Sequence, residues 1–251
     1  MNRFINNKFL KPYLIIVAAI IFPVIVYSQV TVPGAPVYRD IKAYDDHLTI
    51  TDREGRPFVN NYGDIDGSPY FIEHYCSAIL KLNKGKEFEN VFTKVNLFTH
   101  EIFVIDSIKN EIIVSDGLVA DVSLQDTDEG VPRIYNFRSG YPSIDKNNSF
   151  NYYLVLSDGK LQLLKHIRKE IVEEKNILSG EIRKEFVARE EYYTFSNGEI
   201  KKLKRDKDYI KELMMDQEKK ITEYLKEKKV NFKNISLLSN LFDYYNTLSE
   251  L

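Results

Sequence analysis

Cysteine is nearly absent from this chain of 251 residues, since Cys76 is the only one. A single cysteine excludes an intrachain disulfide, so the fold must depend on its apolar core instead of covalent cross-links. Tryptophan is missing altogether, whereas 15 Phe and 17 Tyr supply the aromatic side chains. With 43% hydrophobic residues, the chain carries enough apolar material for one sizeable core.

The familiar catalytic motifs are absent as well. The sequence has no Gly-x-Ser-x-Gly elbow, no phosphate loop ending in Gly-Lys-Ser or Gly-Lys-Thr, no dinucleotide fingerprint and no His-Glu-x-x-His. No motif therefore points to a cofactor. The sequence also lacks an excess of basic charge, because the formal net charge is -2. Nonspecific nucleic-acid binding needs a basic surface that neutralises phosphates, so we expect no nucleic-acid partner.

The N-terminus contains the one long hydrophobic run, residues 14–26. Arg3, Lys8 and Lys11 precede this run without any acidic residue. A basic start followed by a short apolar run is typical of an export signal peptide. Val26 and Ser28 occupy the minus-three and minus-one positions of a cleavage site after Ser28, where small residues are preferred and these two are accepted. No cysteine stands directly after the run, so the sequence does not favour lipid modification there.

Cleavage of residues 1–28 would leave the rest of the chain in the periplasm or outside the cell. Export without disulfides fits a bacterial cell-envelope protein better than a secreted disulfide scaffold. The alternative is that residues 12–28 remain as an anchor in the inner membrane. That stretch is uncharged, but about 17 residues is at the short limit of a span, and Pro23 interrupts it. We expect a membrane partner only in the uncleaved case.

Strands are predicted over residues 67–205, after a loosely ordered lead-in of residues 29–66. In residues 70–82 the even positions are mostly apolar, and this period of two predicts a strand with its even face inward. Turn signals recur at Lys84-Gly85, Asp116-Gly117, Asp158-Gly159 and Asn197-Gly198. Short strands separated in this way predict a predominantly antiparallel β-sheet, built as a curved half-barrel or a sandwich.

Two segments of this region are less regular. Residues 125–142 are rich in Asp, Gly and Pro and predict a long loop. Residues 166–185 fit either continued long strands or a polar helix, because their apolar residues satisfy both periods. We favour the strands.

Beyond residue 205 the apolar period changes from two to 3.6. The stripe of apolar residues predicts two amphipathic helices, one over residues 207–228 and one over residues 236–248, the latter capped by Asn234 or Ser236. Neither helix can bury its stripe alone, so residues 206–251 are expected to pack on the sheet or on each other. The sequence thus predicts an α+β fold, with the sheet followed by two C-terminal helices.

Two hairpins with similar sequences end the β region. Each has a tyrosine pair before Asp158-Gly159 or Asn197-Gly198, dipeptides that favour a two-residue type I′ turn. Such a turn would pair Ser157 with Lys160 and place Glu191 opposite Lys204. The first hairpin then has one face of leucines with Tyr152. Its other face is too apolar for plain surface and too polar for core, and it is our candidate ligand-binding site: Tyr153, Val155, Gln162 and Leu164.

His74 and Cys76 are the only pair of residues whose spacing suggests a metal. On a strand they would point to the same face, and Zn²⁺ accepts both side chains. Two ligands without a second pair of Cys or His do not close a tetrahedral site, however. We therefore predict a core histidine and a buried thiol, and no metal site.

Several segments resemble a group of uncharacterised exported bacterial proteins. These segments are the signal peptide, Gly67-Ser68-Pro69-Tyr70, Lys94-Val95-Asn96-Leu97, the Tyr-Tyr hairpins and Asp243-Tyr244-Tyr245-Asn246. The resemblance implies an envelope location and this overall build. It implies no activity, catalytic residue or cofactor.

Three functional hypotheses follow. The first is a noncatalytic envelope protein that binds a partner protein, a peptide or a lipid-like ligand on its sheet, with the helices covering part of it. The second is a hydrolase-type enzyme whose site is assembled from scattered residues of the 100–130 region, with His100, Asp126, Asp128 and Glu129 as candidates. The third is an anchored protein with a structural role.

Overall fold

The computed structural model describes residues 62–128, 130–175, 177 and 180–249. The predicted signal peptide, the alternative anchor and nearly all of the lead-in of residues 29–66 lie outside these residues. Within them, no helix combines the length and the apolar character that crossing a membrane would require.

One antiparallel sheet of ten strands forms the body of the described chain. Its strand order is β10-β9-β8-β7-β6-β5-β1-β2-β3-β4, so the sheet is open, with β10 and β4 at its edges. The predicted antiparallel sheet and α+β class are confirmed. The strands are β1 Cys76–Leu82, β2 Glu87–Val95, β3 Ile102–Ile105, β4 Glu111–Val114, β5 Val119–Asp128, β6 Val131–Arg138, β7 Tyr153–Ser157, β8 Gln162–Lys175, β9 Ile182–Ser196 and β10 Glu199–Lys202.

The inward face predicted for the first long strand is correct, although the strand is shorter than expected. It begins at Cys76, and the residues before it form a series of bends. Cys76, Ala78, Leu80 and Leu82 are all buried, as the period of two predicts. The strand assignment of residues 166–185 is also confirmed, because β8 and β9 cover most of that segment as a long hairpin.

The loop predicted for residues 125–142 is wrong. Residues up to Asp128 extend β5, and Val131–Arg138 form β6, with Gly130 in the turn at a φ of 81°. The polar composition misled the prediction because the far end of this hairpin is exposed on both faces. Pro132 is tolerated because β7 pairs with only Phe137 and Arg138, so β6 is an edge there.

The second predicted hairpin is confirmed. Asn197 and Gly198 both have positive φ, 51° and 78°. Glu199 lies opposite Ser196, and the pairing of β9 with β10 continues from there without a shift in register. This geometry is a type I′ turn. The pairing ends at Lys202, whose ammonium lies 2.7 Å from the carboxylate of Glu191. Glu191 therefore takes Lys202 as its cation instead of the predicted Lys204.

The first predicted hairpin has a different turn and register. Tyr153 pairs with His166 instead of Leu164, and the loop between β7 and β8 has four residues with a bulge at Leu156. Gly159 has a φ of 136°, but Asp158 is not in the left-handed region that a type I′ turn requires. A contact from the C-terminal helix explains this difference.

That contact is made by Asn246, which is 5% exposed. Its Oδ1 accepts from the Leu161 N–H at 3.0 Å. Its Nδ2 donates to the carbonyls of Asp158 and Leu161 at 2.9 and 3.0 Å, and to the Ser157 hydroxyl at 3.2 Å. A Cβ at Gly159 would lie 2.6 Å from the Asn246 Cγ, so only glycine allows this approach.

Three helices follow the sheet, one more than predicted. The segment expected as one helix is divided into α1 Lys207–Leu213 and α2 Glu218–Lys228 by a short 3₁₀ turn, Met215–Gln217. In this turn Asp216 accepts from the Tyr245 hydroxyl at 2.9 Å and pairs with Lys160 at 2.6 Å. The break thus ties the helices to α3 and to the β7–β8 loop. The last helix, α3 Ile235–Ser249, begins after Asn234, whose side chain accepts from the Leu237 N–H.

Both faces of the sheet are covered around β7 and β8. Leu163 is buried against the helices, where the Ser239 hydroxyl donates to the Leu156 carbonyl at 2.7 Å. The next residue, Leu164, is buried on the opposite face among tyrosines. Neighbouring residues on a strand point to opposite faces, so this pair shows that the helices and the tyrosine cluster lie on opposite sides.

The far end of β8 contacts the turn after β2, although β7, β6, β5 and β1 separate these strands in the sheet. The Lys169 N–H donates to the Leu97 carbonyl at 2.9 Å. On β9, Phe186 and Lys184 form backbone hydrogen bonds with Asp66. These bonds bring distant parts of one sheet together.

We expect Asn246→Ala to lower the free energy of unfolding by roughly 2–4 kcal/mol, because it removes four hydrogen bonds and leaves the buried Leu161 amide without its partner. Urea denaturation measures this change. The matched control is Asn240→Ala on the exposed face of the same helix, expected within about 0.5 kcal/mol of the parent protein. Equal effects of the two substitutions would contradict the role assigned to Asn246.

Candidate functional site

The four predicted ligand residues lie close together, but two of them are inside the protein. Tyr153 and Leu164 are fully buried and pack with Tyr141, Tyr193 and Ile200. The ring of Tyr141 makes an edge contact with Tyr153 at 5.3 Å between centroids. A ligand reaches Tyr153 only if this packing opens.

Gln162 and Val155 lie nearer the surface. The Gln162 amide donates to Asp158 at 2.7 Å, and its oxygen accepts from the Tyr141 hydroxyl at 2.8 Å. Val155 lines a cleft of about 350 Å³ beside this network. The structure thus brings the four residues together, and their role in binding stays a prediction.

The cleft beside Val155 is centred on Arg138. Its guanidinium forms two hydrogen bonds with the Asp158 carboxylate, at 3.0 and 3.1 Å, and a further ion pair with Asp121. Asp243 adds another carboxylate to the lining. Because two carboxylates already neutralise the one cation, the cleft does not suit an anionic ligand.

The enzyme candidates of the 100–130 region are placed in different surroundings. The His100 ring stacks on the His166 ring, with 4.9 Å between the ring centroids. Asp126 lies elsewhere, with its carboxylate oxygen 3.0 Å from the Nε2 of His74. Glu129 and the side chain of Asp128 lie outside the described residues. The predicted core position of His74 is wrong, because its side chain is 66% exposed on the bends before β1. Cys76 is buried, as predicted.

The stacked histidines form an unusual buried polar group. Among the described residues, neither ring nitrogen of His166, which is 1% exposed, has a hydrogen-bond partner. Burial and the nearby Arg168 lower the pKa of His166 to about 4, although Glu191 acts in the opposite direction. Burial, His166 and Arg168 lower the pKa of His100 to about 4 as well.

A second cleft, of about 290 Å³, lies in the helical part of the protein, and we call it the lysine cleft. Its eight lining residues include four lysines, which we call the rim, and three apolar residues, which we call the floor. Lys207 and Lys211 come from one face of α1, where residues four apart are neighbours. The other lining residues come from one face of α2 and the chain after it: Thr222, Leu225, Lys226, Lys229, Val230 and Phe232.

The end of α2 shapes this cleft. Lys229 caps the helix in the left-handed conformation, with φ 47° and ψ 51°. This conformation ends the helix and turns the chain so that Val230 and Phe232 return to the cleft wall. The position usually carries glycine, because a side chain there costs about 1 kcal/mol.

All charged residues that line the lysine cleft are cations. Among the described residues, only Lys211 of the four lysines forms an ion pair, with Glu218 at 3.9 Å. Lysines near a helix C-terminus offset the helix dipole, which accounts for Lys226 and Lys229. The dipole does not account for Lys207. This residue is the first of α1, and the N-terminal end of a helix carries partial positive charge, which disfavours cations.

Sequence reasoning missed the lysine cleft. The basic residues were visible, but their patterns predicted one continuous helix, on which Lys207 and Lys226 have no reason to meet. The 3₁₀ turn at Met215–Gln217 is what brings the two helices to one cleft. The turn depends on tertiary contacts of Asp216 and has no clear local signal.

Comparison with known proteins adds nothing to this geometry, since no family model, no curated protein and no solved structure matches the chain.

The histidine pair makes stability depend on pH. The pKa of His166 falls from 6.5 to about 4 on folding, so the unfolded chain binds more protons within this range. We expect the free energy of unfolding to be highest above pH 6.5 and to fall by up to roughly 3 kcal/mol per histidine as the pH falls towards 4. Urea denaturation at a series of pH values measures this loss.

His166→Phe isolates the effect. The substitution keeps an aromatic ring against His100 and Tyr153 but removes two unpartnered nitrogens and one titrating group. We expect unchanged or higher stability at pH 7 and a smaller loss towards pH 4. The control, Asn240→Ala, changes an exposed residue that carries no titrating group and should retain the parent slope. An unchanged slope in His166→Phe would refute the assignment.

Proposed function

We propose that this protein is an exported, noncatalytic binding protein of the cell envelope, and that its lysine cleft binds an anionic amphiphile, an acidic head group attached to an acyl chain. The observation that carries this proposal is a basic rim together with an apolar floor. The same cleft is lined by the apolar residues Leu225, Val230 and Phe232 and by four lysines, Lys207, Lys211, Lys226 and Lys229. Such a lining matches both halves of a lipid-like ligand.

The rim favours the acidic head group. Four lysines line this one cleft, and Glu218 compensates only Lys211, weakly, at 3.9 Å. A carboxylate or phosphate would relieve the mutual repulsion of these cations while it accepts hydrogen bonds from them. The Thr222 hydroxyl offers one more donor at the same place.

The floor favours the acyl chain. Leu225, Val230 and Phe232 are each only partly buried, so a ligand would remove more of their apolar surface from water. The volume of about 290 Å³ is just below the usual range of ligand pockets, about 300 to 1,000 Å³. It therefore suits a head group and the first part of one chain, with the rest of the chain on the surface.

The sheet serves as the rigid support of this site. We propose that the sheet is a curved half-barrel. The Lys169 N–H donates to the Leu97 carbonyl, and this contact between β8 and the chain after β2 requires the sheet to curve across the four strands between them. The helices lie on the β7–β8 side of that support. The rival proposal, a hydrolase built on His100 and Asp126, has less support, because each of these residues contacts a different histidine.

Binding of dodecanoate to the purified protein tests the ligand proposal. We expect affinity to require both halves of the ligand, so acetate and the uncharged dodecyl maltoside should bind much more weakly. A charge contact with an anionic lipid surface contributes about 1 kcal/mol per lysine, so Lys207→Gln and Lys226→Gln should each weaken binding roughly fivefold. Isothermal titration calorimetry at low and high salt measures this, and high salt should weaken binding.

The matched control is Lys220→Gln. It removes one exposed lysine from α2 but lies away from the lysine cleft, so affinity should stay at the parent value. Equal loss in Lys220→Gln and Lys226→Gln would show attraction to general surface charge only. Equal affinity for dodecanoate and dodecyl maltoside would also count against the proposed head-group site.

Lys229→Gly separates binding from stability. Glycine adopts the left-handed conformation at this helix end without penalty, so we expect the free energy of unfolding to stay constant or rise by up to about 1 kcal/mol. The same substitution removes one rim charge, so affinity for dodecanoate should fall. A parallel loss of stability and affinity would contradict this description.

Export is tested by N-terminal sequencing of the protein recovered from cells. Cleavage after Ser28 should leave Gln29 as the first residue, in the periplasmic or extracellular fraction. An intact Met1 in the membrane fraction would instead favour an anchor formed by residues 12–28.

A further inference from the structure

Three side chains of different kinds converge beside the first strand. The atoms of His74, Cys76 and Asp126 that can bind a metal all lie within 4.8 Å of one another. The His74 Nε2 is 3.0 Å from the Asp126 carboxylate. In sequence, Asp126 is far from the other two, and this distance is why the pattern of His74 and Cys76 alone predicted no metal site.

The sheet places two of these ligands next to each other. Ser77 pairs with Gln125 in the β1–β5 ladder, so Cys76 and Asp126 are the next residues along the two strands. Cross-strand neighbours have side chains about 5 Å apart, close enough to share one ion. His74 comes from the bends before β1, and this exposed position lets its ring turn towards the pair.

The three ligands match a particular class of cation. Thiolate, imidazole and carboxylate together suit Zn²⁺, which binds all three with bonds of about 2.0–2.3 Å. Tetrahedral ligand atoms at those distances are about 3.3–3.8 Å apart, so a spread of 4.8 Å needs a shift of about 1 Å. Because His74 Nε2 and the Asp126 carboxylate are already 3.0 Å apart, this shift must bring them closer to the Cys76 Sγ, and the exposed His74 ring has room to rotate.

We propose that His74, Cys76 and Asp126 form a three-ligand site for Zn²⁺, with the fourth tetrahedral position open to water or to an external ligand. Binding requires the Cys76 thiol to lose its proton to solvent, and the cation then compensates the thiolate and the Asp126 carboxylate. This site is independent of the lysine cleft, and its failure would leave the amphiphile proposal intact.

Cationic neighbours limit the affinity of the site. Lys94, on β2, is close enough to favour the charged form of the Cys76 thiol, and its ammonium lies over the rings of Tyr70 and Tyr75 at 4.7 and 4.5 Å. Burial and Asp126 act the other way and raise the pKa of this thiol. Arg133 lies opposite Asp126 in the β5–β6 ladder, so the two side chains are on the same face of the sheet. Zn²⁺ binding must therefore overcome the repulsion of these cations.

Native mass spectrometry and cobalt spectroscopy of the purified protein test the proposal. After removal of metals with a chelator and addition of Zn²⁺, we expect one ion per chain that survives desalting. Co²⁺ should give a near-ultraviolet charge-transfer band from the Cys76 thiolate, and Cys76→Ser should abolish it. Asp126→Asn and His74→Gln should each weaken Zn²⁺ binding by more than about tenfold, the low end for loss of an outer-shell partner.

The matched control is Glu73→Gln. It makes the same carboxylate-to-amide change as Asp126→Asn, next to His74, but on an exposed residue outside the cluster. Its Zn²⁺ affinity should equal that of the parent protein. Because Cys76 is buried and Cys76→Ser could disturb folding, the surface substitution His74→Gln provides an independent test. No stoichiometric Zn²⁺, or equal losses in Asp126→Asn and Glu73→Gln, would overturn the site.

Discussion

The side chain of Asn246 connects the two layers of this protein. Its four hydrogen bonds to residues 157–161 set the shape of the β7–β8 loop, and that loop determines the register of the central hairpin. The same helix is fixed by Tyr245, which donates to Asp216 between α1 and α2. Sheet, loop and helices thus depend on one polar contact region inside an otherwise apolar interface.

The two proposed sites use this framework in different ways. The lysine cleft depends on Asp216, which accepts a hydrogen bond from Tyr245 of α3 and pairs with Lys160. These contacts break the expected long helix, so α1 and α2 both line one cleft. The cluster of His74, Cys76 and Asp126 exists because β1 and β5 are neighbours in the sheet. Neither site needs a catalytic motif, and both offer binding chemistry.

Buried polar groups also constrain the interior. His100 and His166 stack in a region where hydrogen-bond partners are scarce, so their neutral forms are favoured and acid destabilises the fold. Beside them, Tyr153 and Tyr193 are fully buried, whereas Val155 and Gln162 of the predicted ligand face lie nearer the surface. The two tyrosines contribute packing and hydrogen bonds to the sheet.

Features that depend on local chemistry could be predicted from the amino-acid sequence. It predicted the antiparallel sheet, the inward face of β1, the Asn197-Gly198 turn and the amphipathic character of the C-terminal segment, because each follows from a period or from the φ values of a dipeptide. The tertiary structure alone decided the Asp158-Gly159 loop, the β5–β6 hairpin, the helix break and the partner of His74. In each of these, a contact between residues far apart in the chain outweighed a local preference, and no local pattern encodes such a contact.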